Sequence, residues 1–201
     1  EHGNAIALAY NIATPKQTKI VAKHIIKDDA NDFIKRENGM TMVSPAMSYF
    51  LHVGLAENGY PEESLALFKK RFSKMLAPDT NGTLWEEWWR DGSGRTGKFI
   101  GGRTRSDAQT ESAFPPDLFA KYVLGLEVTQ PGMQEITVSI PKYVLKNAKA
   151  TFPTPHGNCS IEWKIGKTKE LTLDVPNGCS VKLDVASLDS KNIVINKEKN
   201  K

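Results

Sequence analysis

The chain has 201 residues, 39 % of them apolar, enough to bury a core in one large domain or two small ones, which excludes a chain disordered throughout. Its 27 Lys and Arg against 23 Asp and Glu give a formal charge of +4, divided 16 to 15 up to Leu126 and 11 to 8 beyond it, so no basic stripe points to nucleic acid. The longest nearly apolar stretch, Ala5 to Ala13, is about half of the roughly 20 residues a membrane helix needs, and Asn11 interrupts it.

The punctuation up to Leu126 is helical, with Pro at first-turn positions and Gly at exits. Asn4 to Thr14 is an Ala/Ile/Leu-rich run. Thr14-Pro15 supplies an N-cap and a first-turn proline to a second helix carrying Ile20, Val21, His24 and Ile25. After a turn at Asn38-Gly39, Ser44-Pro45 repeats the device ahead of Met47, Phe50, Leu51 and Leu55, and Asn58-Gly59 closes that helix. Pro61, Glu62 and Glu63 open a fourth, its apolar stripe Leu65, Phe68, Phe72 and Met75. Short connections make successive helices antiparallel, so the pattern predicts a row of helical hairpins. Between Pro78 and Pro115 the periodicity fails and glycines crowd positions 92 to 102, a flexible lid or a disordered excursion. Pro115-Pro116 then starts a last helix through Leu118, Phe119, Tyr122, Val123 and Leu126.

Beyond Pro131-Gly132 the period changes from 3.6 to 2. Ile136, Val138 and Ile140 alternate, as do Cys159, Ile161 and Trp163, then Leu171, Leu173 and Val175, then Cys179, Val181, Leu183 and Val185. With Ala148 to Phe152 and Asn192 to Ile195 these are about six short strands, the signature of an antiparallel β-sandwich. The expected division is a helical part over 1–126 and a sandwich over 127–201, with a frayed lysine-rich tail from Lys197. Cys159 and Cys179 each open a core-facing strand after a turn; buried free thiols are the default reading, a disulfide the alternative. The opening at Glu1, with neither Met nor a signal peptide, reads as a processed protein or a piece of a longer one.

The chemically informative stretch is Thr83-Leu84-Trp85-Glu86-Glu87-Trp88-Trp89-Arg90, where three of the four tryptophans sit beside two carboxylates. Indole faces stack on the apolar faces of sugar rings, and carboxylates bond hydroxyls or supply acid and base for glycosidic cleavage. The alternative is structural: on a helix Trp85, Trp88 and Trp89 would form one buried stripe with Glu86 and Glu87 turned to solvent. Asp107 and Glu111 lie in the same connection, where lone acids are ordinarily solvated surface. The four histidines are scattered without metal-ligand spacing, and no nucleophile elbow, phosphate loop or dinucleotide fingerprint is present, so neither metal nor cofactor is expected.

The order of these features resembles the C-terminal part of bacterial α-L-rhamnosidases of glycoside hydrolase family 78. The helical hairpins, the Thr83-Leu84-Trp85-Glu86 segment, Tyr122-Val123-Leu124-Gly125-Leu126 and Pro131-Gly132 carry it. Phe152-Pro153-Thr154-Pro155-His156-Gly157, Ile161-Glu162-Trp163-Lys164 and Leu173-Asp174-Val175-Pro176-Asn177-Gly178 look like the family's C-terminal β-sandwich. The resemblance implies the last hairpins of an (α/α)6 barrel followed by that sandwich, and inverting hydrolysis of terminal α-L-rhamnosyl residues, with Glu86 at the general-base position. Inversion needs a second carboxyl, an acid, roughly 6.5–9.5 Å away. The family's acid lies in an acidic motif early in the barrel that this chain does not match. A twelve-helix barrel needs roughly 250 residues, more than the helical part here supplies, so the expected partners are a carbohydrate substrate and an upstream part of the same polypeptide. The isolated piece is expected to be inactive. Many members carry His and Trp before the last helix; here Gln109 and Glu111 occupy those positions, which with Trp85, Trp88 and Trp89 become candidate sugar contacts and put the sugar specificity in question. A non-catalytic carbohydrate-binding or scaffolding module is the competing reading. Polysaccharide degradation implies a periplasmic or cell-surface location, on the resemblance alone.

Overall fold

The structure is a computed structural model that describes residues 1–31, 42–78, 80, 82–88, 99–100, 103–104, 106, 108–141, 145–184 and 192–197, without side chains at 28–31, 99–100, 103–104 and 197. The expected turn at Asn38-Gly39, the glycine-rich stretch from Gly92, and Trp89 and Asp107 lie outside these residues. So do Val185 and the tail beyond Lys197. The chain forms two compact units, Glu1–Leu118 and Phe119–Lys201.

Four helices build the first unit: α1 (His2–Ala9), α2 (Pro15–Asn31), α3 (Ser48–Glu57) and α4 (Pro61–Phe72). Local chemistry sets their ends. Thr14 and Gln17 form a capping box, the Thr14 N–H donating to Gln17 Oε1 at 2.9 Å and the Gln17 N–H to Thr14 Oγ1 at 3.4 Å. Pro61 stands at the first turn of α4, with Glu62 and Glu63 at its positive end and Lys69, Lys70 and Arg71 at its negative end. Helices α1 and α3 run parallel. Their starts meet where the Val43 N–H donates to Glu1 Oε2 at 2.8 Å, and their ends meet where Asn58 Nδ2 donates to Leu8 O at 3.2 Å. The axes approach so closely at Gly54 that a Cβ there would lie 2.6 Å from Leu8 Cβ and 2.9 Å from Ala9 N. Ala5, Leu8, Ala22, Ile25, Val43, Leu51, Leu55 and Leu67 fill the core between the helices. Tyr10, Ile12, Ile20 and Leu76 are exposed by more than half.

After a 3-10 turn (Ser73–Leu76) the chain leaves regular structure, touches a two-residue ribbon β1 (Phe99–Ile100) and β2 (Arg103–Thr104), and returns through a second 3-10 turn (Thr110–Ser112) to the short helix α5 (Pro115–Leu118).

The second unit opens on a π-helical stretch, Phe119–Leu124, with Gly125 at φ +76° as its exit. The sequence reading placed this helix with the first part; the division falls ahead of it, and Ala120 and Leu124 pack into the core of the sheets. Strands β3 (Leu126–Val128), β4 (Glu135–Val138) and β8 (Ser180–Leu183) form one sheet, and β5 (Asn147–Thr154), β6 (Gly157–Ile165), β7 (Lys169–Val175) and β9 (Ile193–Lys197) the other. The period of two holds: Cys159, Ile161 and Trp163 of β6 and Leu171, Leu173 and Val175 of β7 are buried, and the residues between them face out. Cys159 and Cys179 are buried free thiols, and burial pushes the Cys159 thiol up to about 11.

The expectation of an antiparallel sandwich needs correction at two pairings. β8 lies parallel to β4 and β9 parallel to β7; the remaining neighbours are antiparallel. Alternation reports which face of a strand is buried and is blind to direction, whereas direction follows from how the chain crosses between sheets. The Pro176–Gly178 turn carries the chain from β7 into β8 of the other sheet, so β8 does not fold back beside β7 as a hairpin would.

Candidate functional site

The described part of the tryptophan-glutamate stretch, 83–88, forms no helix. Residues 82–88 are irregular and run beside 106–112. The Gln109 N–H donates to Leu84 O at 2.8 Å and the Glu86 N–H to Ser106 O at 3.1 Å. The Ser106 N–H answers by donating to Glu86 Oε2 at 2.7 Å, and buried Ser112 Oγ donates to Trp85 O at 2.8 Å. These bonds satisfy main-chain groups that neither helix nor sheet would satisfy here, and they hold the Glu86 carboxylate, half-buried, at a defined place.

The structure separates the tryptophans. Trp85 is 3 % exposed and packs with Phe72 and Met75 in a small aromatic core that Phe68, Leu84, Trp88 and Phe114 complete. The buried stripe therefore exists for Trp85 without the helix. Trp88 is half-buried; its ring meets Phe72 edge-on at 5.5 Å and Trp85 at 5.9 Å, and its Nε1–H donates to Val43 O at 3.0 Å. Gln109 and Glu111 lie on the companion segment, where Gln109 Nε2 and Thr110 Oγ1 both donate to Glu111 Oε2, the latter at 2.9 Å. Glu111 is exposed and Gln109 half-buried. One cluster thus gathers Glu86, Trp88, Gln109 and Glu111, with Trp85 beneath it as packing.

Three supports carried no sequence signal. The Val43 carbonyl and the Ser106 amide act through main-chain atoms, and Ser112 is a hydroxyl in a loop. His52, another buried group near this core, bonds through Nδ1 with Ser64 Oγ at 3.0 Å and faces Phe68 and Phe72 edge-on. Burial, then the Arg71 charge, lowers its pKa to about 3, so it is a neutral packing residue at ordinary pH. Among the described residues no three His, Cys, Asp or Glu side chains converge on a place fit for a metal ion. A hollow of about 470 Å³ lies at the opposite ends of α1 and α3, between the 11–19 turn and Asn58 and Tyr60, and takes no part in the cluster.

Residues 125–200 match the model of the bacterial alpha-L-rhamnosidase C-terminal domain. The sequence matches no curated protein. Among solved structures, a family 78 rhamnosidase of Bacillus sp. GL1 superposes on 99 % of the chain at TM-score 0.72 and 18 % identity. An α-L-rhamnosidase from Dictyoglumus thermophilum superposes on 93 % at 0.65 and 20 % identity. The Streptomyces avermitilis α-L-rhamnosidase, solved in complex with L-rhamnose, superposes on 90 % at 0.63 and 19 % identity. The chain spans 20 %, 20 % and 17 % of the lengths of these three proteins. The resemblance read in the sequence therefore holds: residues 125–200 match the bacterial alpha-L-rhamnosidase C-terminal domain, and the chain as a whole has a fold similar to part of family 78 α-L-rhamnosidases.

Proposed function

We propose that the chain is the C-terminal part of an inverting glycoside hydrolase that removes terminal α-L-rhamnosyl residues, with Glu86 as the general base. The observation that carries this reading is the anchored carboxylate. Glu86 is held by the Ser106 amide two residues from a half-buried indole, beside Gln109 and Glu111, in a chain with a rhamnosidase fold. A base that activates water must be kept from swinging while the acid opposite protonates the leaving oxygen, and a main-chain N–H on one carboxylate oxygen does that without neutralising it. Trp88 supplies an apolar ring for a face of the sugar, and Gln109 and Glu111 supply hydroxyl partners. Trp85, named from sequence as a sugar contact, acts from below by holding this segment in place. Helices α1 to α4 are two hairpins of an (α/α)6 barrel, which the parallel run of α1 and α3 supports. The general acid belongs to a part of the polypeptide beyond these residues, so the 201 residues alone hydrolyse nothing.

The test is Glu86→Gln in the polypeptide that carries this chain. The amide keeps an oxygen for the Ser106 N–H, so the fold stands while turnover of an aryl α-L-rhamnoside falls by about 10²–10⁴. Full activity removes Glu86 from the mechanism. The binding-module reading gains no support from the second unit: its described strands pair Lys149 with Glu162 and Asp174 with Asn196 across strands and Lys164 with Glu162 along one strand, and keep Phe152 and Trp163 inward.

A further inference from the structure

We propose that the buried Arg71–Glu1 ion pair is a positioning device for the candidate site: through the main chain of Val43 it fixes the indole of Trp88 beside Glu86. Arg71 stands in the last turn of α4 and Glu1 just ahead of α1, and neither side chain is exposed. The pair is bidentate, Arg71 Nη1 donating to Glu1 Oε2 and Nη2 to Oε1, each at 3.0 Å. Glu1 Oε2 also accepts the Val43 N–H at 2.8 Å. Val43 is buried ahead of α3, and its carbonyl takes the Trp88 Nε1–H at 3.0 Å. Four hydrogen bonds thus run from a helix end, through a carboxylate and the main chain of one buried residue, to the indole of the site.

The chemistry of the links favours orientation over stability. A buried ion pair adds little net stability compared with apolar residues of the same volume, because desolvation offsets most of the attraction. What it imposes is direction. The planar guanidinium fork fixes the plane of the Glu1 carboxylate, which fixes the Val43 N–H; the carbonyl that Trp88 needs lies in the next peptide unit, across the Val43 Cα, where the full burial of Val43 limits rotation between the two. The Gln109 N–H holds Leu84 O and the Ser106 N–H holds Glu86, so with Trp88 on Val43 the 84–88 segment is clamped at both ends. Removing Arg71 leaves a buried carboxylate that must protonate or turn away, and either change releases the Val43 peptide. The proposal rests on the rhamnosidase reading for what Trp88 faces.

The test uses the polypeptide that carries this chain, in the variants Arg71→Met, Arg71→Lys, Glu1→Gln, Trp88→Phe and the double Arg71→Met/Trp88→Phe. Arg71→Met is expected to raise KM for an aryl α-L-rhamnoside about tenfold with kcat within about twofold, since a lost sugar contact acts on binding. Arg71→Lys, which restores the charge without the fork, falls between, and the double variant has the KM of Trp88→Phe alone. In parallel, amide exchange read by mass spectrometry is expected to quicken about tenfold in peptides covering 42–47 and 83–88 and to stay unchanged in those covering 157–175. Should Arg71→Met fail to fold, Glu1→Gln carries both readouts. Unchanged exchange at 83–88, an unchanged KM, or KM effects that multiply in the double variant overturns the proposal. An inactive wild type sinks the rhamnosidase reading alone, and the exchange data then decide whether the coupling exists.

Discussion

Trp85→Ala separates the two roles open to an indole in this segment. At 3 % exposure Trp85 packs with Phe72 and Met75, so truncation removes the largest ring of the small aromatic core and leaves a cavity that its neighbours only partly close. Such changes cost about 3–5 kcal/mol. In a unit of this size that lowers its melting temperature by about 10–20 °C. The bond from Ser112 Oγ goes to the Trp85 carbonyl and survives the change, so the chain path at Glu86 persists in molecules that remain folded. Trp88→Ala should do the reverse. Its ring is half-buried and the bond of its indole N–H to Val43 O is worth about 1 kcal/mol, for a total loss of about 2–3 kcal/mol. Its main effect falls on KM. The assay is thermal unfolding of both variants beside KM and kcat for an aryl α-L-rhamnoside, measured well below the lower transition. A Trp85→Ala enzyme with wild-type stability and a raised KM would refute the reasoning, because it would mean that Trp85 meets substrate rather than core.

Gly125→Ala should destabilise the second unit by about 3 kcal/mol or more in denaturant titration: the residue sits at φ +76°, and its Cβ would lie 1.6 Å from Ser139 O, whose own amide donates to Gly125 O at 2.8 Å. A loss under about 1 kcal/mol would show that this junction shifts freely. Because the folded pKa of His52 is about 3 against an ordinary 6.5, the unfolded chain takes up its proton first, so stability is full above pH 6.5 and declines as pH falls toward 3. His52→Phe should flatten that slope in unfolding curves taken between pH 7 and pH 4. Ser112→Ala removes the donor to the buried Trp85 carbonyl and should cost about 1–3 kcal/mol, measured by chemical denaturation, with kcat/KM falling alongside as Glu86 loses its support.

How much of this was legible in one dimension depends on which groups make the contacts. The capping box at Thr14, the prolines that open α2 and α4, and the alternation of Cys159-Ile161-Trp163 were all readable, because each is a local preference written into neighbouring side chains. The candidate site was half readable. Glu86 lies on a segment hydrogen-bonded to the one that carries Gln109 and Glu111, yet the sequence could not tell buried Trp85 from half-buried Trp88. Whether an indole is buried depends on Phe72 and Met75 from the end of α4 and the turn after it, and on Phe114 from ahead of α5.

The chain's composition and periodicity by themselves determined that helices precede strands, which residues cap them, and which faces are apolar, since these follow from backbone geometry over a few residues. Tertiary structure alone decided that β8 and β9 run parallel to their neighbours, that Trp85 is core, and that Arg71 reaches Glu1, whose carboxylate also takes the Val43 N–H. Those outcomes depend on groups distant in sequence: strand partners and the Val43 amide are main-chain groups that nearly every residue carries, and the neighbours of Trp85 and Arg71 are set only when folding brings remote segments together.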